Sequence, residues 1–208
     1  AVHLAVPVIV VGNITVGGTG KTPLILALAQ EMAQLGYTVG IISRGYAGCA
    51  RIPTPVLPGA DPQQVGDEPI LLASLGFPVF VCKDRVAAGT ALIQHHPDVN
   101  LIFSDDGLQH YRLYRTIEIG VVDGLRGFGN RLPLPAGPLR EPIERLKTTD
   151  ILVFNGPWMC KQPPPQHPQS FHMSLIPGTV YRFNQPQDTV LASAWTQKHI
   201  AAVCAIGN

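Results

Sequence analysis

The stretch Val6-Pro7-Val8-Ile9-Val10-Val11-Gly12-Asn13-Ile14-Thr15-Val16-Gly17-Gly18-Thr19-Gly20-Lys21-Thr22 decides the fold. An apolar strand leads into a glycine-rich turn and a Gly-Lys-Thr opening, which runs into a helix-like segment, Pro23 to Leu35. Strand, turn and helix together are the context that makes a phosphate-binding loop credible. Glycines let backbone N–H groups curl around phosphate oxygens, and the helix N-terminus adds partial positive charge. Thr15, Val16, Gly17, Gly18, Thr19, Gly20, Lys21 and Thr22 are therefore the expected nucleotide-binding set. In that reading Lys21 reaches the β- and γ-phosphates and the Thr22 hydroxyl ligates Mg²⁺. The motif is imperfect, because Thr15 stands where the usual spacing has glycine. Pro23 suits a first helical turn, and Gly36 sits where a helix C-terminal glycine belongs. A glycine-rich connection with an incidental lysine is the plain alternative.

Working outward, short apolar runs recur at Val6–Val11, Thr38–Ser43, Phe77–Cys82, Asn100–Ser104, Ile117–Asp123, Ile151–Phe154 and Ile200–Ile206. They are continuous rather than alternating, as in strands covered on both faces. Helix-like segments fall between several of them: Thr22–Leu35, Glu68–Leu75, Arg85–His95 and a shorter one at Glu141–Leu146. This alternation predicts an α/β fold of the P-loop NTPase kind, a doubly wound, mostly parallel sheet with helices on both faces. Ligands of such sheets bind at the carboxyl ends of the strands. Residues 1–160 are expected to form the nucleotide-binding core. Residues 161–208, opening with the proline run at 163–168, read as a connection, a surface loop or the entry to a second lobe. Ser170–Phe183 has weak strand character.

Composition narrows the classes. The 208 residues suffice for a full core, and charged residues are only 14% against roughly 25% in typical domains. A net charge of +1 makes no case for a nucleic-acid partner. No apolar run approaches the ~18 residues of a membrane span, and no signal-peptide pattern opens the sequence. Cys49, Cys82, Cys160 and Cys204 lack metal or redox spacing, which fits reduced thiols in the cytosol.

Four polar clusters carry candidate chemistry. Leu101-Ile102-Phe103-Ser104-Asp105-Asp106-Gly107 has the form of a Walker B strand end, where an aspartate holds Mg²⁺. Neighbouring strand residues point to opposite faces, so the two aspartates divide the work. We assign Asp105 to the metal with Thr22 and Asp106 to catalysis, although spacing alone does not choose between them, and an Asp-Asp-Gly turn is the bland reading. Asp67, in Gly66-Asp67-Glu68-Pro69, is well placed as a helix N-cap. Arg44, Arg85 and Arg140 each stand near the expected ligand edge, where a guanidinium suits phosphate and also suits a surface ion pair. His110 is either a proton carrier or a structural brace.

This ordered series resembles the tetraacyldisaccharide 4′-kinase family, the lipid A kinases of Gram-negative bacteria. The residues that carry the resemblance are Val11-Gly12-Asn13, Thr15–Thr22, Ser43-Arg44-Gly45-Tyr46, Gly66-Asp67-Glu68-Pro69, Asp84-Arg85, Asp105-Asp106-Gly107-Leu108-Gln109-His110 and the 134–141 segment Leu-Pro-Ala-Gly-Pro-Leu-Arg-Glu. The resemblance runs to about residue 155. It implies transfer of the ATP γ-phosphate, with Mg²⁺, to the 4′-hydroxyl of a tetraacyldisaccharide 1-phosphate, forming lipid IVA. It implies tolerance of a small hydroxyl residue at Thr15 and makes Asp67 the catalytic base, with Lys21, Arg85, Asp106, His110 and Arg140 completing the catalytic set. A carboxylate is too weak to ionise a sugar hydroxyl beforehand, so Asp67 would orient it and take the proton late, while cations stabilise the transferring phosphate. Members also carry an N-terminal membrane-associating segment and a longer C-terminal part that supplies a histidine to the catalytic aspartate. Peripheral contact at the cytoplasmic face of the inner membrane is the expected location. The chain is then expected to be truncated at both ends, binding nucleotide but turning over poorly by itself. A P-loop ATPase or GTPase switch acting on a protein partner is the rival, although no Asn-Lys-x-Asp segment is present. A nucleotide-binding domain without turnover is the third reading.

Overall fold

The computed structural model describes residues 1–176, 181–182 and 185–189. Its centre is a sheet in the order β3-β4-β2-β5-β1-β6-β7-β8. The strands are β1 (Val8–Gly12), β2 (Val39–Ser43), β3 (Thr54–Pro55), β4 (Val79–Val81), β5 (Leu101–Asp105), β6 (Ile117–Asp123), β7 (Ile151–Asn155) and β8 (Ser170–Met173). Only the short edge strand β3 runs antiparallel, against β4; every other pairing in this sheet is parallel. The expected α/β class is therefore observed.

Alternation within the strands sorts the side chains into two cores. Val8, Val10, Ile42, Phe80 and Ile102 join one, which also takes Val86, Ala88 and Leu92 of α4 (Arg85–His95). Val11, Ile41, Val79, Val81 and Phe103 join the other, with Ile25 and Ala29 of α1 (Lys21–Gln34) and Leu72 of α3 (Asp67–Ala73). Each of the larger of these side chains contributes about 1.5–3 kcal/mol on burial, which explains why both faces of the sheet need a helical cover. The four-residue α2 (Pro62–Val65) precedes α3 and is N-capped by Asp61, whose carboxylate accepts from the Gln63 N–H.

The chain crosses from one side of β1 to the other between β5 and β6. That reversal leaves a crevice at the carboxyl ends of β1 and β5. The loops after both strands meet there.

Several expected boundaries shift. The segment placed at Glu141–Leu146 is a 3₁₀ helix over Ile143–Thr148, entered after Pro142, which lacks a backbone donor. Asp67 is not an N-cap: α3 starts at Asp67 itself behind Gly66, and the Asp67 carboxylate accepts from the N–H of Glu68. Gly66 is required there, because φ is +86° and a Cβ would lie 2.6 Å from the Tyr46 carbonyl oxygen. The 163–168 proline run is irregular and mostly exposed. Beyond it β8 pairs in parallel with β7, so the sheet continues past residue 160. A separate two-stranded ribbon joins β9 (Tyr181–Arg182) and β10 (Gln185–Thr189). The strand expected at Ile200–Ile206 lies outside the described residues.

Candidate active site

Thr15 to Thr22 form the turn between β1 and α1, at the crevice. Gly20 precedes the helix with φ +89°, and a Cβ on it would meet Asn155 Nδ2 at 2.6 Å and Met173 Cε at 2.7 Å, so the position needs glycine. The loop is held from outside. Val16 donates to the Pro138 carbonyl at 2.9 Å, Arg140 N–H donates to Ile14 O at 2.6 Å, and Thr15 bridges Leu139. Arg126 Nη2 donates to Gly18 O at 3.1 Å, and Asn155 Nδ2 donates to Thr19 O at 3.3 Å. The Val16 N–H therefore faces the 138–140 segment and not a cradle. The first N–H groups of α1 have no intrahelical acceptor, so the glycine end of the loop is where an anion finds donors.

Thr15 has a physical reason. Its hydroxyl accepts from Asn13 Nδ2 at 3.1 Å, and Asn13 Oδ1 accepts from Lys21 Nζ at 3.3 Å. Asn13 is fully buried, so this relay holds the lysine at a fixed place over the strand end. Residue type and spacing alone assign Asn13 no role beyond its place in Val11-Gly12-Asn13.

Lys21 also lies 3.4 Å from Asp106 Oδ1, and Arg140 Nη1 donates to Asp106 Oδ2 at 2.6 Å. Burial by itself would push the Asp106 carboxyl upward, but Lys21 and Arg140 outweigh it and hold it below the usual carboxylate range. Asp106 sits at φ +48°, turned away from its neighbour. Asp105 faces inward, 1% exposed, and its Oδ2 accepts from the Ser43 hydroxyl at 3.0 Å. Its other oxygen, Oδ1, is buried without a hydrogen-bond partner. Burial first, and the neighbouring Asp106 charge second, raise the Asp105 pKa to about 6. Glu68 adds to that rise, which places its charge within electrostatic reach of Asp105.

Arg85 departs from the expected role. It is 3% exposed, and its guanidinium donates to the carbonyls of Cys82 at 3.2 Å, Asp105 at 3.1 Å and Asp106 at 3.4 Å. It braces the turn that carries both aspartates. His110 Nε2 is buried, makes no hydrogen bond and lies 3.8 Å from Asp84 Oδ1. Burial first, then the Arg85 charge, keep its pKa below the ordinary histidine value. Asp84 also caps α4 through the Val86 and Ala87 N–H groups and pairs with Arg112. Gln109 links Asn13 O, at 3.0 Å, to Glu141 Oε1, at 2.6 Å, and Tyr111 donates to Glu141 Oε2.

The fold thus gathers Lys21, Asp105, Asp106 and Arg140 into one cluster, backed by Arg85 and flanked by His110. Thr22 stands beside it in the first turn of α1, half-buried. Asp67 is exposed at the start of α3, as is Glu68, whose charge acts on Asp105 through space. Arg44 reaches the same region only through its repulsion of Arg85. Asn13, Ser43, Glu68, Arg126 and Asn155 carry site geometry that residue type and spacing left silent. No group of three or more acidic, histidine or cysteine side chains converges among the described residues, so a cation here would need oxygens from a ligand or water as well.

The model of the LpxK family, described as tetraacyldisaccharide-1-P 4′-kinase, matches residues 1–208. A tetraacyldisaccharide 4′-kinase of Chromobacterium violaceum is 52% identical over 206 residues, covering 99% of this chain and 60% of that protein. One from Nitrosococcus oceani is 59% identical over 155 residues, covering 74% of this chain and 46% of that protein. A crystal structure of LpxK from Aquifex aeolicus in complex with ATP is similar with a TM-score of 0.74 at 28% identity, covering 96% of this chain and 63% of that one. The chain spans about 60% of the length of the curated relatives it matches end to end.

Proposed function

The chain belongs to the tetraacyldisaccharide-1-P 4′-kinase family, and from that premise we propose that the protein transfers the γ-phosphoryl group of ATP to the 4′-hydroxyl of an acylated disaccharide 1-phosphate. The product is the 4′-phosphorylated lipid. The observation that carries this reading is the cluster of Lys21, Arg140, Asp105 and Asp106 at the mouth of a helix-capping glycine loop.

In the proposed reaction the N–H groups from Gly17 to Thr22 hold the phosphates, and Lys21 and Arg140 offset the charge on the moving phosphoryl group. Asp67 orients the 4′-hydroxyl. The hydroxyl oxygen forms the new bond to phosphorus as the bond to the bridging oxygen breaks, ADP leaves, and the proton passes to Asp67. Asp106 sets the two cations, and Arg85 sets Asp106. His110, whose pKa is lowered by burial, stands beside them.

Residues here fit a Mg²⁺ ion. A buried carboxylate oxygen with no partner, Asp105 Oδ1, is the kind of atom that a cation or its bound water satisfies. Asp105 and Thr22 would hold it. A Mg²⁺ ion held by them would supply charge neutralisation to the phosphates. Because the acceptor is a lipid, the protein works in peripheral contact with a bilayer, which we place at the cytoplasmic face of the inner membrane. No helix among the described residues is long and apolar enough to cross one.

The test is a transfer assay with radiolabelled ATP and the acylated disaccharide, using the full-length protein and a Lys21→Ala control. Label on the acceptor, lost in the control, is the expected result. Label released only as free phosphate would overturn the reading in favour of an ATPase.

A further inference from the structure

The acceptor proposed above joins acyl chains to a phosphorylated sugar, so the site must open onto lipid, and the loops beside it carry the side chains that bear on where. Two loops leave the carboxyl ends of β6 and β7, spanning residues 124–142 and 156–169. They form one body: the Phe128 and Trp158 rings lie 5.9 Å apart, Cys160 Sγ is 3.8 Å from Leu125 O, and Met159 N–H donates to Gly124 O at 2.9 Å. Their single acid is Glu141, which is already engaged by Gln109, Tyr111 and Arg145, whereas Arg126, Arg131, Arg140 and Lys161 all fall within them. Four large apolar side chains on them are exposed: Leu125 is 64% exposed, Leu132 49%, Leu134 55% and Met159 70%. Single exposed leucines need no explanation. Four exposed apolar side chains on one body, together with cations and no unpaired acid, are a different matter, because that is the composition of a surface that enters a lipid headgroup region.

This body is bonded to the phosphate loop. Pro138 O accepts from Val16, and Arg126 donates to Gly18 O. We propose that the 124–140 and 156–161 loops dock on an anionic phospholipid surface. Leu125, Leu132, Leu134 and Met159 enter the boundary between headgroups and acyl chains, and Arg131 and Lys161 meet lipid phosphates. The acceptor's sugar is thereby presented beside the loop that holds ATP while its acyl chains stay in lipid. A nucleic acid would engage the same cations but leave four apolar tips without a partner. An acidic protein face is excluded by the same apolar tips unless it carries its own apolar centre.

The functional meaning rests on the acylated acceptor, but the test does not use the kinase reaction. Full-length protein is floated with phosphatidylglycerol/phosphatidylethanolamine vesicles and with phosphatidylcholine vesicles. Leu132→Glu/Leu134→Glu is expected to cut partitioning at least tenfold on the anionic vesicles. Arg131→Ala/Lys161→Ala is expected to cut it about fivefold per charge removed, on anionic vesicles only. MgATP binding, measured beside each, reports the fold, and Leu132→Ser/Leu134→Ser replaces the first variant if it fails to bind nucleotide. Flotation of both variants at the level of the unaltered protein would overturn the proposal, as would capture by an acidic protein with no binding to vesicles. Transfer to a detergent-dispersed acceptor is assayed in parallel. Its absence in the unaltered protein would defeat the kinase reading while leaving the docking result to stand or fall by flotation.

Discussion

The Oδ1 atom of Asp106 lies 3.4 Å from the Nζ atom of Lys21. The same carboxylate receives Arg140 on its other oxygen, so one anion aligns the two cations that face the crevice. All three side chains are partly open to solvent, with 11% to 27% of their surface exposed. The stabilising contribution of such pairs is modest, and their value lies in orientation. Asp106→Asn should therefore leave the melting temperature within a few degrees while lowering kcat by about a hundredfold or more. Thermal denaturation and steady-state kinetics on the full-length protein check the split. A variant that retains full kcat would remove Asp106 from the machinery.

Asp67 is exposed, and its only side-chain hydrogen bond among those described accepts from the next residue's N–H, so its removal should cost the fold little. Asp67→Ala should lower turnover by about 10²–10⁴-fold, the usual weight of a positioned base. MgATP affinity should change less than threefold or so, because the phosphate loop is on another element. Isothermal titration beside the transfer assay separates the two effects, and a large loss of nucleotide affinity would point to a binding role instead.

Asp105 gives a pH signature in the metal-free protein. Its folded pKa is raised from 3.8 to about 6 by burial and then by Asp106, so the folded chain holds a proton that the unfolded chain has already lost. Stability attributable to this group therefore falls as pH rises between about 4 and 6, and the penalty is complete above that window. His110, whose pKa is lowered, contributes with the opposite sign, but it does so equally in a variant at residue 105. Asp105→Asn should gain stability relative to the unaltered protein as pH rises through the window. Urea denaturation at a series of pH values measures this, and parallel curves for the two proteins would contradict it.

Arg85 is a buried cation serving three carbonyls. Arg85→Ala leaves Cys82 O, Asp105 O and Asp106 O without that donor and removes a cation that interacts with the Asp105 charge. The expected cost is about 3 kcal/mol. Arg85→Lys should restore part of it, since one ammonium cannot reproduce a planar fork of donors. Chemical denaturation of the two variants gives the ordering, and an unaltered midpoint for the alanine variant would show that the carbonyls find water instead.

Much of this arrangement is legible in the residues. Apolar runs gave β1, β2, β5, β6 and β7 to within two residues because strands buried on both faces leave a continuous signature, and α4 falls on Arg85–His95 as expected because Asp84 provides an N-cap just before the helix. The glycine loop and the Asp105-Asp106 pair were visible because their chemistry is local. The two-residue β3 and the four-residue α2 were not, being too short for any period to appear. Arg85 looked like a ligand for phosphate because residue type says nothing about direction; its guanidinium turns inward through contacts 20 residues away in sequence. Asn13, Glu68 and Arg126 were silent for the same reason. Asn13 meets Thr15 and Lys21 close by in sequence, where only side-chain direction is hidden, whereas Arg126 meets Gly18 through the adjacency of β1 and β6.

The account turns on where the triphosphate lies, and a crystal structure of the full-length protein with a non-hydrolysable ATP analogue measures that directly. The account predicts phosphates against the N–H groups of Gly17 to Thr22, with Lys21 moved from Asp106 toward the γ-position and Asp67 within reach of an alcohol placed in line with it. An analogue bound elsewhere, with the loop empty and Lys21 still on Asp106 and Asn13, would contradict it.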